Sequence, residues 1–286
     1  MARGNKIKRR ISPHPSRRAT RREPALNASA APFGEERDEA AGRPRERRSS
    51  EVTLIYGFHS VEAALKASRR QLIRLYATAA AAERLKPEIG ARGVETRILS
   101  PEEVALCAPR GAVHQGVVLE ARPLAPIDLT ELPPRGLVVA LDQITDPHNV
   151  GAILRTAAAF AVDALVATER HSPQLSGTLA KSASGGLEYV PVCTVTNLAR
   201  ALAEIGDMGY MRVGLDAGAP ASLDEVPLAR PLAFVLGSED RGLRRLTREN
   251  CDALARLDLP GAIKSLNVSN AAAIALALAY GRIGKR

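Results

Sequence analysis

Apolar and polar positions alternate between strand-like and helix-like patterns along most of the chain. From residue 137 onward the apolar runs are short and continuous, which is typical of strands in a parallel sheet that is covered on both faces. These predicted strands cover residues 137–141, 164–168, 189–192, 212–216, 232–237 and 253–259. An alanine-rich helix pattern over 268–280 follows the last run. The pattern predicts an α/β fold with a parallel sheet.

The stretch before residue 137 carries a more mixed pattern. A strand-like run after residue 52 leads into a helix in which Val61, Ala64 and Leu65 share one face, and Ser60 is its expected N-cap. Strand and helix signals then alternate over 72–77, 94–99, 101–108 and 116–121. This alternation predicts a small α/β unit of about seventy residues.

A proline-rich segment separates the two patterns. Residues 122–135 contain four prolines and no sustained period, so we expect a linker there. A chain of 286 residues is long enough for two domains with separate cores. The expected organisation is a disordered basic tail, a small N-terminal α/β domain, the linker and a larger parallel-sheet domain, over residues 1–50, 51–121, 122–135 and 136–286.

Charge distinguishes the tail from the rest of the chain. The net charge is +9, and residues 1–50 hold 14 Lys plus Arg against 6 Asp plus Glu, which leaves only +1 for the other 236 residues. The tail has too few apolar residues to form a core, which predicts disorder. Such a cationic arm could bind a nucleic acid or could serve only to keep the protein soluble. The Arg-rich first 22 residues also fit an organelle import signal. We favour a cytoplasmic protein, because this segment contains no apolar stretch that resembles a secretory signal. No run reaches the ~18 apolar residues of a membrane span.

The cysteines and histidines do not indicate a metal centre. Cys107, Cys193 and Cys251 are scattered and lack CxxC spacing, so they are interpreted as small core residues rather than as a disulfide framework or a zinc site. The histidines at 59, 114 and 148 lie in different segments, and only His148, which lies in a polar segment after a predicted strand, is a candidate for contact with a nucleic acid.

Three polar, glycine-containing segments lie where open α/β sheets bind ligands, beyond the carboxyl ends of predicted strands. They are D-Q-I-T-D-P-H-N-V-G-A-I-L-R (142–155), G-S-E-D-R-G-L (237–243) and P-G-A-I-K-S-L-N-V-S-N (260–270). Taken singly, Asn149 could be a helix cap, Arg155 a surface residue and Glu239 a solvated acid. Their combination favours a functional site. The motifs of dinucleotide, ATP, zincin and serine-hydrolase sites (GxGxxG, GxxxxGK[ST], HExxH, GxSxG) are absent from the sequence.

These segments resemble, in the same order, the three motifs of the SpoU (TrmH) family of RNA ribose 2′-O-methyltransferases, in the SPOUT superfamily. Y-G-F-H-S-V-E-A-A-L (56–65) is similar to the start of that family's small RNA-binding domain. The segments at 171–192 and 195–202 are most similar to the RlmB subgroup, whose members methylate a guanosine ribose in the peptidyl-transferase region of 23S rRNA. The resemblance extends over residues 52–282.

The resemblance implies a C-terminal SPOUT domain with a trefoil knot, a geometry that periodicity cannot reveal. It also implies S-adenosylmethionine as cofactor, 23S rRNA or its precursor ribosomal particle as substrate, and a homodimer in which each active site draws on both subunits. Neither a metal nor a membrane is implied.

Motif matching also implies roles for individual residues. Arg155 is the residue that the family places beside the ribose hydroxyl. Because a guanidinium has a pKa above about 12 and no acceptor, we expect it to grip the adjacent phosphate rather than act as a base. The matching assigns orientation of Arg155 or the substrate to Asn149, pairing with Arg155 to Glu239, and contacts to ribose or phosphate to Ser265 and Asn267.

The cofactor is expected to lie between apolar walls and main-chain hydrogen-bonding groups. The residues expected around it are Leu236, Gly237, Gly242, Leu257, Leu259 and Leu266. Gly151 and Gly242 are expected to allow a close approach of the backbone.

Alternatives to the rRNA enzyme remain open at this point. The same chemistry could act on tRNA, since the motifs do not specify the RNA. A non-catalytic RNA-binding assembly factor could keep the fold, although the complete set of polar residues argues against lost activity. An unusual nucleotide-binding enzyme would need a phosphate loop that the sequence lacks.

Overall fold

The structure is a computed structural model that describes residues 52–170, 172 and 177–284 of the chain. The predicted tail over residues 1–50 lies outside the described residues. The described part is an α/β protein with one small and one large sheet. None of its helices is long and apolar enough to cross a membrane.

The small sheet has the strand order β1-β4-β2-β3, in which β2 and β3 are parallel and β4 runs antiparallel to both β1 and β2. Its elements, in chain order, are β1 (Thr53–Tyr56), α1 (Phe58–Lys66), β2 (Leu72–Ala77), α2 (Ala79–Arg84), α3 (Lys86–Arg92), β3 (Glu95–Ile98), α4 (Pro101–Cys107) and β4 (Val117–Ala121).

The start of α1 differs from the prediction. The helix begins at Phe58, and its N-cap is Gly57 with a φ of 90°, a conformation that glycine adopts without strain. Ser60, predicted to be the cap, is instead buried inside the helix, where its hydroxyl donates to the Ala180 carbonyl at 3.1 Å. The sequence pattern missed this because a tertiary contact, rather than the helix end, uses the hydroxyl.

The large sheet has seven parallel strands in the described residues, in the order β7-β6-β5-β10-β8-β11-β9. The strands are β5 (Leu137–Asp142), β6 (Ala164–Thr168), β7 (Val192–Val195), β8 (Met211–Leu215), β9 (Ala221–Ser222), β10 (Leu232–Gly237) and β11 (Ala253–Arg256). The helices are α5 (Pro147–Ala159), α6 (Gly177–Ser182), α7 (Gly186–Tyr189), α8 (Leu198–Asp207), α9 (Arg245–Glu249) and α10 (Val268–Ile283), with a 3-10 helix at Leu129–Glu131. The predicted parallel sheet is confirmed.

Two strand boundaries were wrong. The run at 189–192 was predicted as a strand, but α7 ends at Tyr189 and the strand covers Val192–Val195. The run at 253–259 is a strand only to Arg256. Continuous apolar runs do not mark their own ends, because a buried helix turn or loop reads like a buried strand.

Both faces of the large sheet are buried, as the continuous apolar runs predicted. Alternate residues of β5 and β10 enter two separate cores: Leu141 and Leu236 lie in one, and Ala140 and Val235 in the other. α5 and α10 contribute to the first core and α8 to the second. This packing fixes the carboxyl ends of β5 and β10 side by side.

A buried ion pair connects the small sheet unit to the large one. Arg70, before β2, donates from Nη2 to Glu188 Oε1 at 2.8 Å and from Nε to Oε2 at 2.9 Å. The side chains are only 2% and 1% exposed. A Cβ added to Gly185 would lie 2.2 Å from the Ala63 side chain, so α1 packs directly against the turn before α7.

Candidate functional site

The three polar segments meet at the carboxyl ends of β5 and β10. Glu239 Oε1 accepts hydrogen bonds from Asn149 Nδ2 and from Asn267 Nδ2, both at 2.7 Å. Asn267 Nδ2 also lies 2.8 Å from Asn149 Oδ1, and the main-chain N–H of Val268 points at Glu239 Oε1 at 3.3 Å. One residue from each segment thus contributes to a single cluster, which we call the amide–carboxylate cluster (Asn149, Glu239 and Asn267).

Helix capping places two members of this cluster. α5 begins at Pro147 after the N-cap Asp146, whose side chain accepts from His148 N at 2.9 Å, and this puts Asn149 in the first turn. Asn267 is the N-cap of α10, where its Oδ1 accepts from Ser269 N at 2.9 Å. Both helices therefore point their N-terminal ends, which favour negative charge, toward the Glu239 carboxylate.

The third member stands on a tight loop that follows β10. Gly242 N donates to Ser238 O at 2.8 Å, and Gly242 has a φ of 62°. A Cβ on Gly237 would lie 2.2 Å from the Gly242 carbonyl carbon, so only glycine fits there. The expected close approach at Gly242 is therefore an approach of the loop to itself.

A cavity of about 330 Å³ lies beside the cluster. All six residues predicted around the cofactor line it, and so do Ser265 and Glu239. The volume lies in the range of small-molecule sites, and the leucines provide apolar walls. Its remaining charged lining residues are Asp216, Arg241, Arg248 and Lys264.

Most of the cations at this cavity already have partners. Arg248 pairs with Asp216 at 2.5 Å, and Lys264 Nζ donates to the Leu259 carbonyl at 2.6 Å. Arg241 is exposed and makes no hydrogen bond or ion pair with any described residue. A guanidinium at the cavity is thus available for an anionic ligand.

Arg155 does not join the cluster within one chain. It is exposed and makes no hydrogen bond or ion pair with the residues that the structure describes. The predicted pairing with Glu239 is therefore wrong for the single chain, since Glu239 binds the two asparagines instead. Six residues along a helix correspond to a rotation of about 240°, so Arg155 projects from a different side of α5 than Asn149.

Gly151 brings α5 close to its neighbour rather than to a ligand. A Cβ there would lie 2.3 Å from Ser182 Cβ, and His148 Nδ1 lies 3.4 Å from Ser182 Oγ. The close approach expected at Gly151 is a helix contact between α5 and α6.

Two residues at the site, Asp142 and Arg244, were not predicted. Asp142, the last residue of β5, is fully buried, and its Oδ1 accepts from Arg244 Nε at 2.6 Å. The sequence did contain a signal for this pair, since an acid lies directly after a run of apolar residues that were predicted to be buried. A buried carboxylate requires a partner.

Two of the three cysteines, Cys193 and Cys251, are poor nucleophiles. Burial raises the pKa of the Cys251 thiol to about 12 and that of Cys193 to about 11, so both thiols stay protonated at neutral pH. Among the described residues there is also no group of three His, Cys, Asp or Glu side chains that could hold a metal ion.

Comparisons with known proteins decide the family. The model of the SpoU rRNA Methylase family matches residues 136–277, and that of the RNA 2′-O ribose methyltransferase substrate binding domain matches residues 54–127. The 23S rRNA (guanosine-2′-O-)-methyltransferase RlmB of Nitrosomonas europaea is 43% identical over 230 residues, which cover 78% of this chain and 88% of that protein. The chain belongs to the SpoU family. The resemblance carried by the three motifs is confirmed.

Other SpoU proteins agree in sequence and fold. The protein with the same name from Ralstonia nicotianae is 38% identical, over 79% of this chain and 94% of its own length. The crystal structure of the SpoU methyltransferase AviRb from Streptomyces viridochromogenes in complex with AdoMet superposes with a TM-score of 0.69 at 22% identity, over 85% of this chain and 96% of that chain. At this identity the superposition shows a shared SpoU fold.

Proposed function

We propose that the protein transfers a methyl group from S-adenosylmethionine to the ribose 2′-OH of a guanosine in 23S rRNA. The observation that carries the proposal is the meeting of Asn149, Glu239 and Asn267, one from each SpoU motif, beside a cavity lined by the predicted cofactor residues. The substrate follows from the relatives named 23S rRNA (guanosine-2′-O-)-methyltransferase, which are 35–43% identical.

The cavity fits S-adenosylmethionine. Five leucines supply apolar walls for adenine, and the tight turn from Gly237 to Gly242 leaves main-chain groups at the cavity surface. When bound there, the cofactor supplies a sulfonium methyl group, which the ribose oxygen takes in-line while the C–S bond electrons return to sulfur. This reaction requires alignment of the reacting atoms rather than a metal, and such alignment can lower the activation barrier by several kcal/mol.

Arg155 is assigned to the RNA. Its guanidinium has no partner among the described residues, so its planar fork is available for a phosphate next to the target ribose. A fixed cation there lowers the pKa of the 2′-OH and helps its proton to leave to solvent. Asn149, Glu239 and Asn267 hold the α5 and α10 starts together, and Ser265 lies at the cavity where it can contact the ribose.

The protein acts as a homodimer in this proposal. Because Arg155 projects away from its own Glu239, each active site takes its Arg155 from the partner subunit. The exposure of Arg155 and the absence of a bond to Glu239 support this arrangement. A two-fold interface is the commonest oligomer arrangement.

The remaining parts of the chain are assigned to RNA delivery. Residues 51–121 form the RNA-binding domain, 122–135 the linker and 136–286 the methyltransferase domain, supported by the two sheets and the ranges of the two family matches. The tail over residues 1–50, which holds 14 Lys plus Arg against 6 Asp plus Glu, concentrates RNA without reading its sequence. The trefoil knot is supported by the strand order, in which the late strand β10 lies between β5 and β8. The proposed site of action is the cytoplasm, which is supported by the similarity to bacterial 23S rRNA methyltransferases.

The experiment is methyl transfer to separated RNAs. The purified protein is incubated with methyl-labelled cofactor and either 23S rRNA, its precursor particle or bulk tRNA, and the labelled nucleotide is mapped. We expect label on one guanosine of 23S rRNA. Label on tRNA alone would show that tRNA is the substrate instead of rRNA. No label on any of these RNAs, with a protein that is folded, would favour a non-catalytic assembly factor.

A further inference from the structure

Asp142 lies under the loop that carries Glu239. Its register partner is Gly237, the last residue of β10 and the one directly before that loop. Its two carboxylate oxygens have different tasks: Oδ2 accepts from the main-chain N–H of Arg244 at 2.9 Å, and Oδ1 accepts from Arg244 Nε at 2.6 Å. A carboxylate with no exposed surface must be compensated in this way, because its desolvation is costly.

The loop over residues 238–243 is constrained at both ends by this arrangement. At its start, Gly237 allows the close return of the chain, and the Ser238–Gly242 hydrogen bond closes the turn. At its end, Arg244 is bound to Asp142 in the neighbouring strand. The Arg244 contact thus holds the end of the loop to the first SpoU segment, in addition to the Asn149–Glu239 hydrogen bond at its start.

The other arginines near the loop have different environments. Arg245 forms an exposed pair with Glu249 one helical turn away, and Arg248 pairs with Asp216. Arg244 alone of these three bonds to a fully buried carboxylate, although its own side chain is 44% exposed. An exposed pair contributes little, whereas a buried charge requires its partner.

We propose that the Asp142–Arg244 ion pair is a positioning element for methyl transfer. It holds the 238–243 loop so that Gly237 and Gly242 close the cofactor cavity while Glu239 meets Asn149 and Asn267. This inference rests on the proposed function. Asp142 and Arg244 are positioning residues, since neither lines the cavity.

The test compares Asp142→Asn, Arg244→Gln and the double variant, with Arg245→Gln as the matched control on the same helix. Calorimetry measures the Kd of S-adenosylmethionine, and hydrogen exchange measures the protection of the amides over 238–243. We expect each single variant to weaken cofactor binding about tenfold or more and to expose the loop amides, in line with the loss of a charged hydrogen bond. The double variant should bind no more weakly than the weaker single one, because both remove the same interaction.

The Asp142→Asn variant and one further variant, Arg244→Lys, separate positioning from loss of fold. Asp142→Asn leaves no buried charge behind and keeps an acceptor for the Arg244 main chain, so its melting temperature should stay near that of the wild type. Arg244→Lys keeps a cation beside Asp142 and should recover part of the affinity lost in Arg244→Gln.

Several outcomes would overturn the proposal. Unchanged cofactor affinity and unchanged loop exchange in Asp142→Asn would show that the pair positions nothing. A raised KM for RNA in Arg244→Gln, with Asp142→Asn indistinguishable from wild type, would make Arg244 an RNA contact instead. If the wild type itself binds no S-adenosylmethionine, the proposed function fails, and the exchange data still report whether the pair orders the loop.

Discussion

Asn267 combines two tasks in one side chain, and substitution can separate them. Its Oδ1 caps α10, whereas its Nδ2 donates to Glu239 and Asn149. Serine is as good a cap as asparagine but cannot supply the two amide donors. Both Asn267→Ser and Asn267→Ala should lose the stability that the amide donor contributes, but Asn267→Ser should keep about 1 kcal/mol more unfolding free energy than Asn267→Ala, because serine keeps the cap.

The catalytic effect of the two Asn267 variants should be alike. Both lose hydrogen bonds to a carboxylate, which are worth about 1.5–3 kcal/mol, so kcat/KM should fall about 10- to 100-fold in each. Denaturant unfolding and methyl-transfer kinetics provide the two readouts. If Asn267→Ser keeps full activity, the amide–carboxylate cluster has no part in catalysis.

Arg155 is expected to act on the reaction and not on the fold. Because its side chain is exposed and unbonded in the described chain, Arg155→Ala should change the unfolding free energy by less than about 0.5 kcal/mol. The rate should fall about 10²- to 10³-fold, as when one preorganised donor is removed. Arg155→Lys should recover little, since a lysine lacks the planar fork.

The control for Arg155 is Arg200→Ala on α8, an exposed arginine on the other face of the sheet, which should leave kcat/KM unchanged. A cofactor Kd that rises together with the rate loss in Arg155→Ala would place Arg155 in the cofactor site instead of beside the RNA.

Among the elements, α5 and α7 are in close backbone contact at Gly186. A Cβ on Gly186 would lie 2.6 Å from the Leu154 carbonyl oxygen and 2.9 Å from Arg155 N, both backbone atoms. Gly186→Ala should therefore cost about 1–3 kcal/mol of unfolding free energy and lower activity by moving the helix that carries Arg155.

The matched control is Gly90→Ala in the interior of α3, where an added Cβ meets nothing within 4 Å. Alanine should stabilise that helix by about 0.5–1 kcal/mol, because glycine is the more flexible residue in the unfolded chain. Thermal or denaturant unfolding of both variants checks the difference. Equal effects at the two positions would contradict the tight α5–α7 contact.

The large sheet was predictable from sequence and the direction of Arg155 was not. Strands such as β5 and β6 consist entirely of buried residues, so their apolar runs mark them directly. The three segments could be placed at strand ends for the same reason. The sequence did not predict the partners of Glu239. It also did not predict the buried hydrogen bond of Ser60 or the Asp142–Arg244 pair, because each of these two contacts joins residues that are 102 or more positions apart, and no local pattern encodes such a contact.

At the scale of the whole molecule, the buried Arg70–Glu188 pair holds the small sheet unit to α7. Arg70→Met alone would leave a buried, unpaired carboxylate and should cost about 3–5 kcal/mol. Arg70→Met combined with Glu188→Leu removes both charges, and its unfolding free energy should return close to that of wild type. Unfolding curves of both variants test this, and equal destabilisation of the two would mean that the interface needs the ion pair itself.

Active sites that are shared between the subunits of a dimer can be reassembled from two chains that are each inactive alone. Arg155→Ala and Glu239→Ala are each expected to be inactive as homodimers. When the two are unfolded together in equal amounts and refolded, half of the dimers are mixed. If Arg155 acts in the partner's site, each mixed dimer holds one complete site, and methyl transfer should recover to about a quarter of the wild-type rate. If Arg155 acts within its own chain, every site lacks one residue and the mixture stays inactive. Separating mixed dimers through a tag on one chain confirms that both variants assembled, so an inactive mixed dimer would refute the shared site directly.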